Sequence, residues 1–179
     1  VGVVESMRQH DRETEIVVVS DEPYEMIYSR PLLSHYLGAE IEKSRLAYRE
    51  KDFHDRHDVT AVLGTRIVKI EPKEHRVQSA SGEIYSYDKL VISTGGTPIV
   101  PPIPGVETGG VYTFTRLDDA EGIVQALEER AVEHCIVVGG GMIGMKATDA
   151  LIKRGVSVTI LELAPRILGA ALDETGSRM

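Results

Sequence analysis

Spaced along the chain, the apolar positions form two series with the same order. Residues 1–10, VGVVESMRQH, carry the apolar face of a helix, and 15–20, EIVVVS, form a strand-length apolar run followed by Asp21 and Glu22. From residue 142 the order returns. Ile143, Ala147, Ala150 and Leu151 share one helical face, Lys153 and Arg154 lie near the helix end with Gly155 as C-cap, and 156–161 read as a buried parallel strand closed by Glu162. Helix, turn, strand, acid therefore occurs twice. The later copy is preceded by a short apolar strand starting at Cys135 and the run VVGGGMIG, whereas the earlier copy starts on its helix.

Between the copies the pattern shortens. Residues 22–38 predict a Tyr- and Pro-rich loop passing into a short helix, and 48–59 predict an exposed helix. Residues 61–63, 66–70 and 76–79 alternate as strands, with SGE at 81–83 as a hairpin turn. Residues 87–93 predict a buried strand ending in TGGTP. The Pro-rich 98–105 reads as a crossing to a second domain, and 116–130 as an amphipathic helix leading into the glycine-loop strand.

The chemistry is concentrated in the glycine loop. Gly139, Gly141 and Gly144 fit G-x-G-x-x-G: the first permits a tight turn, the second lets backbone approach a pyrophosphate, and the third packs helix against strand. Met142 and Ile143 then open a helix whose N-terminus offers N–H groups and a positive dipole end to an anion. Glu162 stands eighteen positions beyond Gly144, close to the separation of roughly 20 residues at which an acid accepts hydrogen bonds from a ribose 2′-hydroxyl.

Composition narrows the classes of partner. A net charge of −8 over 179 residues, with no basic cluster, argues against nucleic acid and anionic membrane surfaces. No signal peptide is expected, there is no apolar run of spanning length, and the one cysteine, Cys135, suits a reducing cytoplasm. That cysteine falls in a predicted buried strand, so it reads as core. His10, His54, His57, His75 and His134 show no metal-ligand spacing, and no metal is assigned.

Three stretches, EPYEMIYSRPLLSHYL, YDKLVISTGGTPIVPPIPG and VVGGGMIGMKATDALIKRGVSVTILELAPRIL, resemble in order and spacing the pyridine nucleotide-disulfide oxidoreductase family. The likeness is greatest to the branch with rubredoxin and ferredoxin reductases, NADH oxidases and the flavin module of NADH-dependent nitrite reductases. The resemblance implies an α/β fold of two Rossmann-like dinucleotide-binding domains, for FAD and NAD. Residues 1–105 would be part of the FAD-binding domain, without its first strand and glycine loop, and 106–179 the N-terminal part of the NAD(P)-binding domain. With no initiator methionine and too few strands after 161, both domains are expected to be incomplete in this chain.

Position by position, the resemblance gives Asp21, or Glu22 in its place, the ribose of the FAD adenosine. Arg30, Ser34 and His35 would lie near the flavin, Ile67 would offer backbone contacts near the adenine, and Thr94 and Gly95 would pass close to the dinucleotide. Gly139, Gly141, Met142, Ile143, Gly144 and Glu162 would bind NAD(H). On their own chemistry Ser34 and His35 equally suit caps of the LSHYL helix, and 94–97 suits a strand-ending turn. Two departures stand out. Lys146 replaces a frequent Glu and also reads as a solvated side chain, and Arg116 lies one place later than the usual arginine; His35 stands where relatives often have Lys.

The implied function is an FAD-dependent NAD(P)H oxidoreductase that hands electrons to a small redox protein such as rubredoxin or to a redox partner subunit, with no residue needed as acid, base or nucleophile in the hydride step. An oxidase reducing oxygen is the second enzymatic reading, and a truncated non-catalytic dinucleotide-binding module the third. A homodimer is left open.

Overall fold

The computed structural model describes residues 1–178. It divides into two compact units, one made of Val1–Tyr28 with Tyr48–Gly96, the other of Ser29–Ala47 with the chain from Thr97 onward. The elements follow in chain order as α1 (Gly2–His10), β1 (Ile16–Val19), α2 (Leu33–Leu37), α3 (Phe53–Arg56), β2 (Val59–Val62), β3 (Ile67–Glu71), β4 (Arg76–Ser79) and β5 (Ile84–Ser86), then α4 (Leu117–Glu129), β6 (His134–Val138), α5 (Met142–Lys153), β7 (Ser157–Leu161) and α6 (Glu174–Arg178). Among the described residues no helix is long and apolar enough to cross a membrane.

In the first unit β1 and β2 pair in parallel, Ile16 opposite Val59, and the apolar face of α1 covers them. Val4, Ile16, Phe53 and Val59 form the buried cluster, with Met7, Val18 and Ile27 packed against it. Burying four such side chains, each worth roughly 1.5–3 kcal/mol, is what holds a nine-residue helix too short to persist alone. Polar closure comes from Arg8, whose guanidinium donates to the carbonyls of His57 (2.7 Å), Asp11 (3.2 Å), Thr14 (2.8 Å) and Asp58 (2.9 Å). Strands β3, β4 and β5 form a separate antiparallel sheet. Its turn is closed by Ser79, whose Oγ accepts from the Glu83 amide at 3.0 Å while Gly82 takes φ +93°.

In the second unit β6 and β7 pair in parallel, Val137 opposite Ile160, with α5 as the crossover between them. Leu37 of α2, Val124 of α4 and Ala150 of α5 are buried together, so the short helix from the 29–47 segment packs against both longer helices.

Three expectations are corrected. Residues 87–93 form no strand: the Tyr87 amide donates to the His75 carbonyl at 2.8 Å, but Leu90, Val91 and Ile92 are exposed and no described strand runs beside them, and a strand exists only by pairing. The exposed helix expected over 48–59 is a single turn, α3, anchored by buried Phe53, since so short a segment cannot nucleate a helix without tertiary contact. Strand 156–161 is parallel as expected, but Ser157, Thr159 and Leu161 face solvent, and Cys135 is half-buried. The compact units divide at residues 96 and 97, and 29–47 groups with the later unit.

Candidate functional site

The glycine loop is built by a collision that glycine alone avoids. β6 ends at Val138, Gly139 turns the chain at φ +107°, and its amide donates to the Leu161 carbonyl at 2.8 Å, continuing the ladder with β7. α5 then returns so closely that a Cβ on Gly144 would lie 2.0 Å from the Gly139 carbonyl oxygen. Gly141 is the N-cap of α5, exposed, and a side chain there would meet nothing within 4 Å. Space is left on the outer side of the loop and removed on the inner side. Met142 and Ile143 are exposed in the first turn, ahead of the first intrahelical bond from the Met145 amide to the Gly141 carbonyl (2.9 Å). The amides of this turn have no partner four residues back and face an incoming anion.

Glu162 meets this loop. Its Oε2 accepts from the Gly140 amide at 2.6 Å and its Oε1 from the Ala164 amide at 2.8 Å. These backbone donors, Ala164 first and Gly140 next, hold its carboxyl below the usual range. The residues that follow fold back: the Leu168 amide donates to the Gly140 carbonyl at 2.7 Å, and a Cβ on Gly140 would lie 2.9 Å from Ile167 Cγ2. Gly140 fills an unspecified position of the glycine pattern, so spacing passed over it. The one available signal was the uninterrupted run of three glycines.

The structure therefore brings Gly139, Gly141, Met142, Ile143, Gly144 and Glu162 into one place. The donor set fits a dinucleotide: backbone amides at the start of α5 for a pyrophosphate, and a carboxylate tied to the loop by one hydrogen bond from the Gly140 amide.

The other candidates are distributed over both units. At the end of β1, exposed Asp21 lies 3.5 Å from Arg66 Nη1, while Glu22 accepts from the Tyr28 hydroxyl at 2.9 Å. The Gly64 amide donates to the Glu22 carbonyl (3.1 Å), which fixes the backbone on which both acids sit. Ile67 begins β3, half-buried, at a register irregularity; Thr94 and Gly95, the latter at φ +67°, are exposed in the extended stretch. In the second unit Arg30 donates from Nη1 to the Thr115 carbonyl at 2.8 Å. Ser34 is buried within α2 and its hydroxyl donates to the Pro31 carbonyl (3.3 Å), and His35 Nδ1 lies 3.2 Å from Glu40. Neither provides a side-chain cap for α2.

Arg116 is the N-cap of α4, where Asp119 organises the chain. Its carboxylate accepts from the Thr115 amide (2.7 Å), the Arg116 amide (2.9 Å) and the Thr113 hydroxyl (2.8 Å). Burial raises this carboxyl, and the hydrogen bonds outweigh it, leaving it below the usual range. Lys146 is exposed on α5.

A parallel strand pair joined by a helix, with a glycine loop at one strand end and an acid at the other, is a dinucleotide-binding half. The chain belongs to the pyridine nucleotide-disulphide oxidoreductase family, which matches it over residues 1–179. It is 30% identical over 165 residues to the assimilatory nitrate reductase electron transfer subunit of Bacillus subtilis, covering 92% of this chain and 21% of that protein. To the rhodocoxin reductase of Rhodococcus erythropolis it is 31% identical over 173 residues, covering 96% and 40%. A ferredoxin reductase from Rhodopseudomonas palustris superposes with a TM-score of 0.88 at 28% identity, covering 98% of this chain and 43% of that one. The chain thus spans less than half the length of each of these relatives, and both the α/β architecture and the family expected from its motifs are found.

Proposed function

We propose that this chain forms FAD- and NADH-binding portions of a cytoplasmic NADH-dependent flavoprotein, with residues 1–105 serving the flavin nucleotide and 106–179 the nicotinamide nucleotide. One observation carries this reading: the Gly139–Gly144 contact leaves the outer amides of the loop open while the Glu162 carboxylate is fixed beside them. The amides of Gly141, Met142 and Ile143 bind the pyrophosphate, and Glu162 accepts the adenosine ribose hydroxyls. Asp21 or Glu22, Ile67, Thr94 and Gly95 hold the FAD nucleotide, and Arg30, Ser34 and His35 border its ring. When bound, FAD would supply the redox chemistry that links NADH oxidation to reduction of an external small redox protein or partner subunit.

No side chain has to move a proton in the hydride step, so the contribution of this chain is position and charge. The test is direct titration with both nucleotides. NADH should bind more tightly than NADPH by about tenfold or more, a difference of roughly 1.4 kcal/mol, because Glu162 would face a 2′-phosphate with like charge. Equal affinities would remove the assignment of Glu162.

A further inference from the structure

The segment 29–47 lies in sequence between β1 and β2, yet its contacts are made with the nucleotide half. Leu37 is fully buried against Val124 and Ala150. A Cβ on Gly38 would lie 3.4 Å from Ala150 Cα, so the end of α2 touches the α5 backbone. Arg154, at the C-cap of α5, donates from Nε to the Leu37 carbonyl, one of the last-turn carbonyls of α2 that have no acceptor role within the helix. Its side chain is 19% exposed and also lies 3.9 Å from Glu128 of α4. Further out, Lys153 bridges Glu40 and Asp149 at 2.9 Å each, and Arg30 reaches the Thr115 carbonyl at 2.8 Å. The exposed ion pairs contribute little on their own. The half-buried guanidinium on a backbone carbonyl is the contact that fixes the last turn of α2 in place, since a charge-assisted bond is about twice as strong as a neutral one and its loss leaves a carbonyl unpaired.

We infer that Arg154 is a positioning residue for the stretch Arg30–His35: through the Leu37 carbonyl it holds α2 on α5, so the helix that begins at the glycine loop also sets the placement of the side chains bordering the flavin. The inference rests on the proposed assignment of Arg30, Ser34 and His35 to the flavin side. A twelve-residue helix is about 18 Å long, and its two ends serve two sites: amides for the nicotinamide nucleotide at one, Ala150 and Arg154 for α2 at the other.

The experiment uses the flavin-loaded holoenzyme and its stripped apoprotein, as wild type, Arg154→Ala, Arg154→Lys, Gly38→Ala and Arg30→Ala. In the apoprotein, hydrogen exchange at the amides of Gly38, Ala39 and Glu40, which donate to Ser34, Tyr36 and His35 carbonyls, should quicken in Arg154→Ala and stay near wild type in Arg154→Lys. In the holoenzyme, Arg154→Ala should shift the flavin absorption band. It should also slow flavin reduction at saturating NADH on the order of tenfold to a hundredfold, as an ångström-scale misplacement does, with the KM for NADH unchanged. Gly38→Ala, which leaves Arg154 in place and adds a methyl group 3.3 Å from the Ser34 carbonyl oxygen and 3.4 Å from Ala150 Cα, crowds the last turn of α2 against its own backbone and α5; it should give the same spectral shift, and it decides the matter should Arg154→Ala not fold. An unchanged flavin band and reduction rate in Arg154→Ala and Gly38→Ala, alongside a changed band in Arg30→Ala, would overturn the inference and leave Arg154 a purely structural cap. An unchanged band in Arg30→Ala as well would locate the failure in the flavin-side assignment itself.

Discussion

The carboxylate of Glu162 accepts a 2.6 Å hydrogen bond from the amide of Gly140, twenty-two residues earlier in the chain. The acid that terminates one strand is thereby tied to the turn that terminates its neighbour. With its other oxygen on the Ala164 amide at 2.8 Å, the side chain cannot swing away from a ligand that carries negative charge.

Nucleotide choice should follow from this. Glu162→Arg removes the fixed anion, supplies a cation, and is expected to invert the preference from NADH toward NADPH, read as the ratio of dissociation constants. Glu162→Gln keeps one acceptor and should weaken NADH by roughly tenfold to a hundredfold without admitting NADPH, since loss of a charged acceptor costs about 1.5–3 kcal/mol. The sign of the pH dependence is set by the depressed carboxyl. Because the Ala164 and Gly140 amides hold it below the usual carboxylate range, the folded carboxyl stays ionised through neutrality, so NADH affinity should be flat there and decline only as pH falls through the depressed folded value.

A second outcome concerns Gly144. Because its Cβ would sit 2.0 Å from the Gly139 carbonyl oxygen, Gly144→Ala must push α5 off the loop. The expected cost is about 3 kcal/mol, at the upper end for overpacking, with loss of nucleotide binding. Gly141→Ala places a methyl group in open space and should leave thermal stability near wild type while weakening the dinucleotide. A denaturation curve and a binding titration on the two variants separate these effects.

The geometry of this loop was legible because local rules govern it. A left-handed turn at Gly139 and a close helix approach at Gly144 each require glycine whatever surrounds them, and the helical period of 142–153 continues without conflict. What was not legible depended on distant partners. The apolar run Leu90–Val91–Ile92 has strand composition, but composition does not supply a neighbour to pair with. Residues 48–59 have helical spacing, yet one buried ring, Phe53, decides how much of the spacing is realised. The grouping of 29–47 with the later unit had no sequence signal either, since it rests on a buried Leu37 and a guanidinium from a residue more than a hundred positions away. Gly140 shows another kind of miss: a contact with Glu162 at a position that the motif leaves unspecified.

Asp119 offers a test of local order next to the segment bearing Arg116. Asp119→Ala removes the acceptor for the Thr115 and Arg116 amides and should cost about 1–2 kcal/mol, as loss of a helix cap does. Asp119→Asn retains one acceptor oxygen and should lose less. Since the folded carboxyl is depressed despite its partial burial, the stabilisation is present above the unfolded carboxylate pKa and disappears as pH falls through the folded value. Thermal melts of wild type and Asp119→Ala at neutral and acidic pH should therefore converge at the acidic end.

The final outcome concerns how electrons leave. Thiol–disulfide exchange needs a thiolate that can form a mixed disulfide. The stretch 24–38 contains no cysteine, and His35 within it faces Glu40 at 3.2 Å. An imidazole cannot take that role. Cys135 lies within β6, half-buried and paired opposite Val158, and burial pushes its thiol up, away from the thiolate form. The expected result is transfer to an external redox protein with no thiol intermediate. After anaerobic reduction by NADH, oxidised rubredoxin or a ferredoxin should reoxidise the flavin rapidly, a disulfide such as that of coenzyme A should not, and Cys135→Ser or prior alkylation should leave both rates unchanged. Rapid reoxidation by the disulfide that alkylation abolishes would place the reaction on a cysteine outside these residues and overturn the direct-transfer assignment.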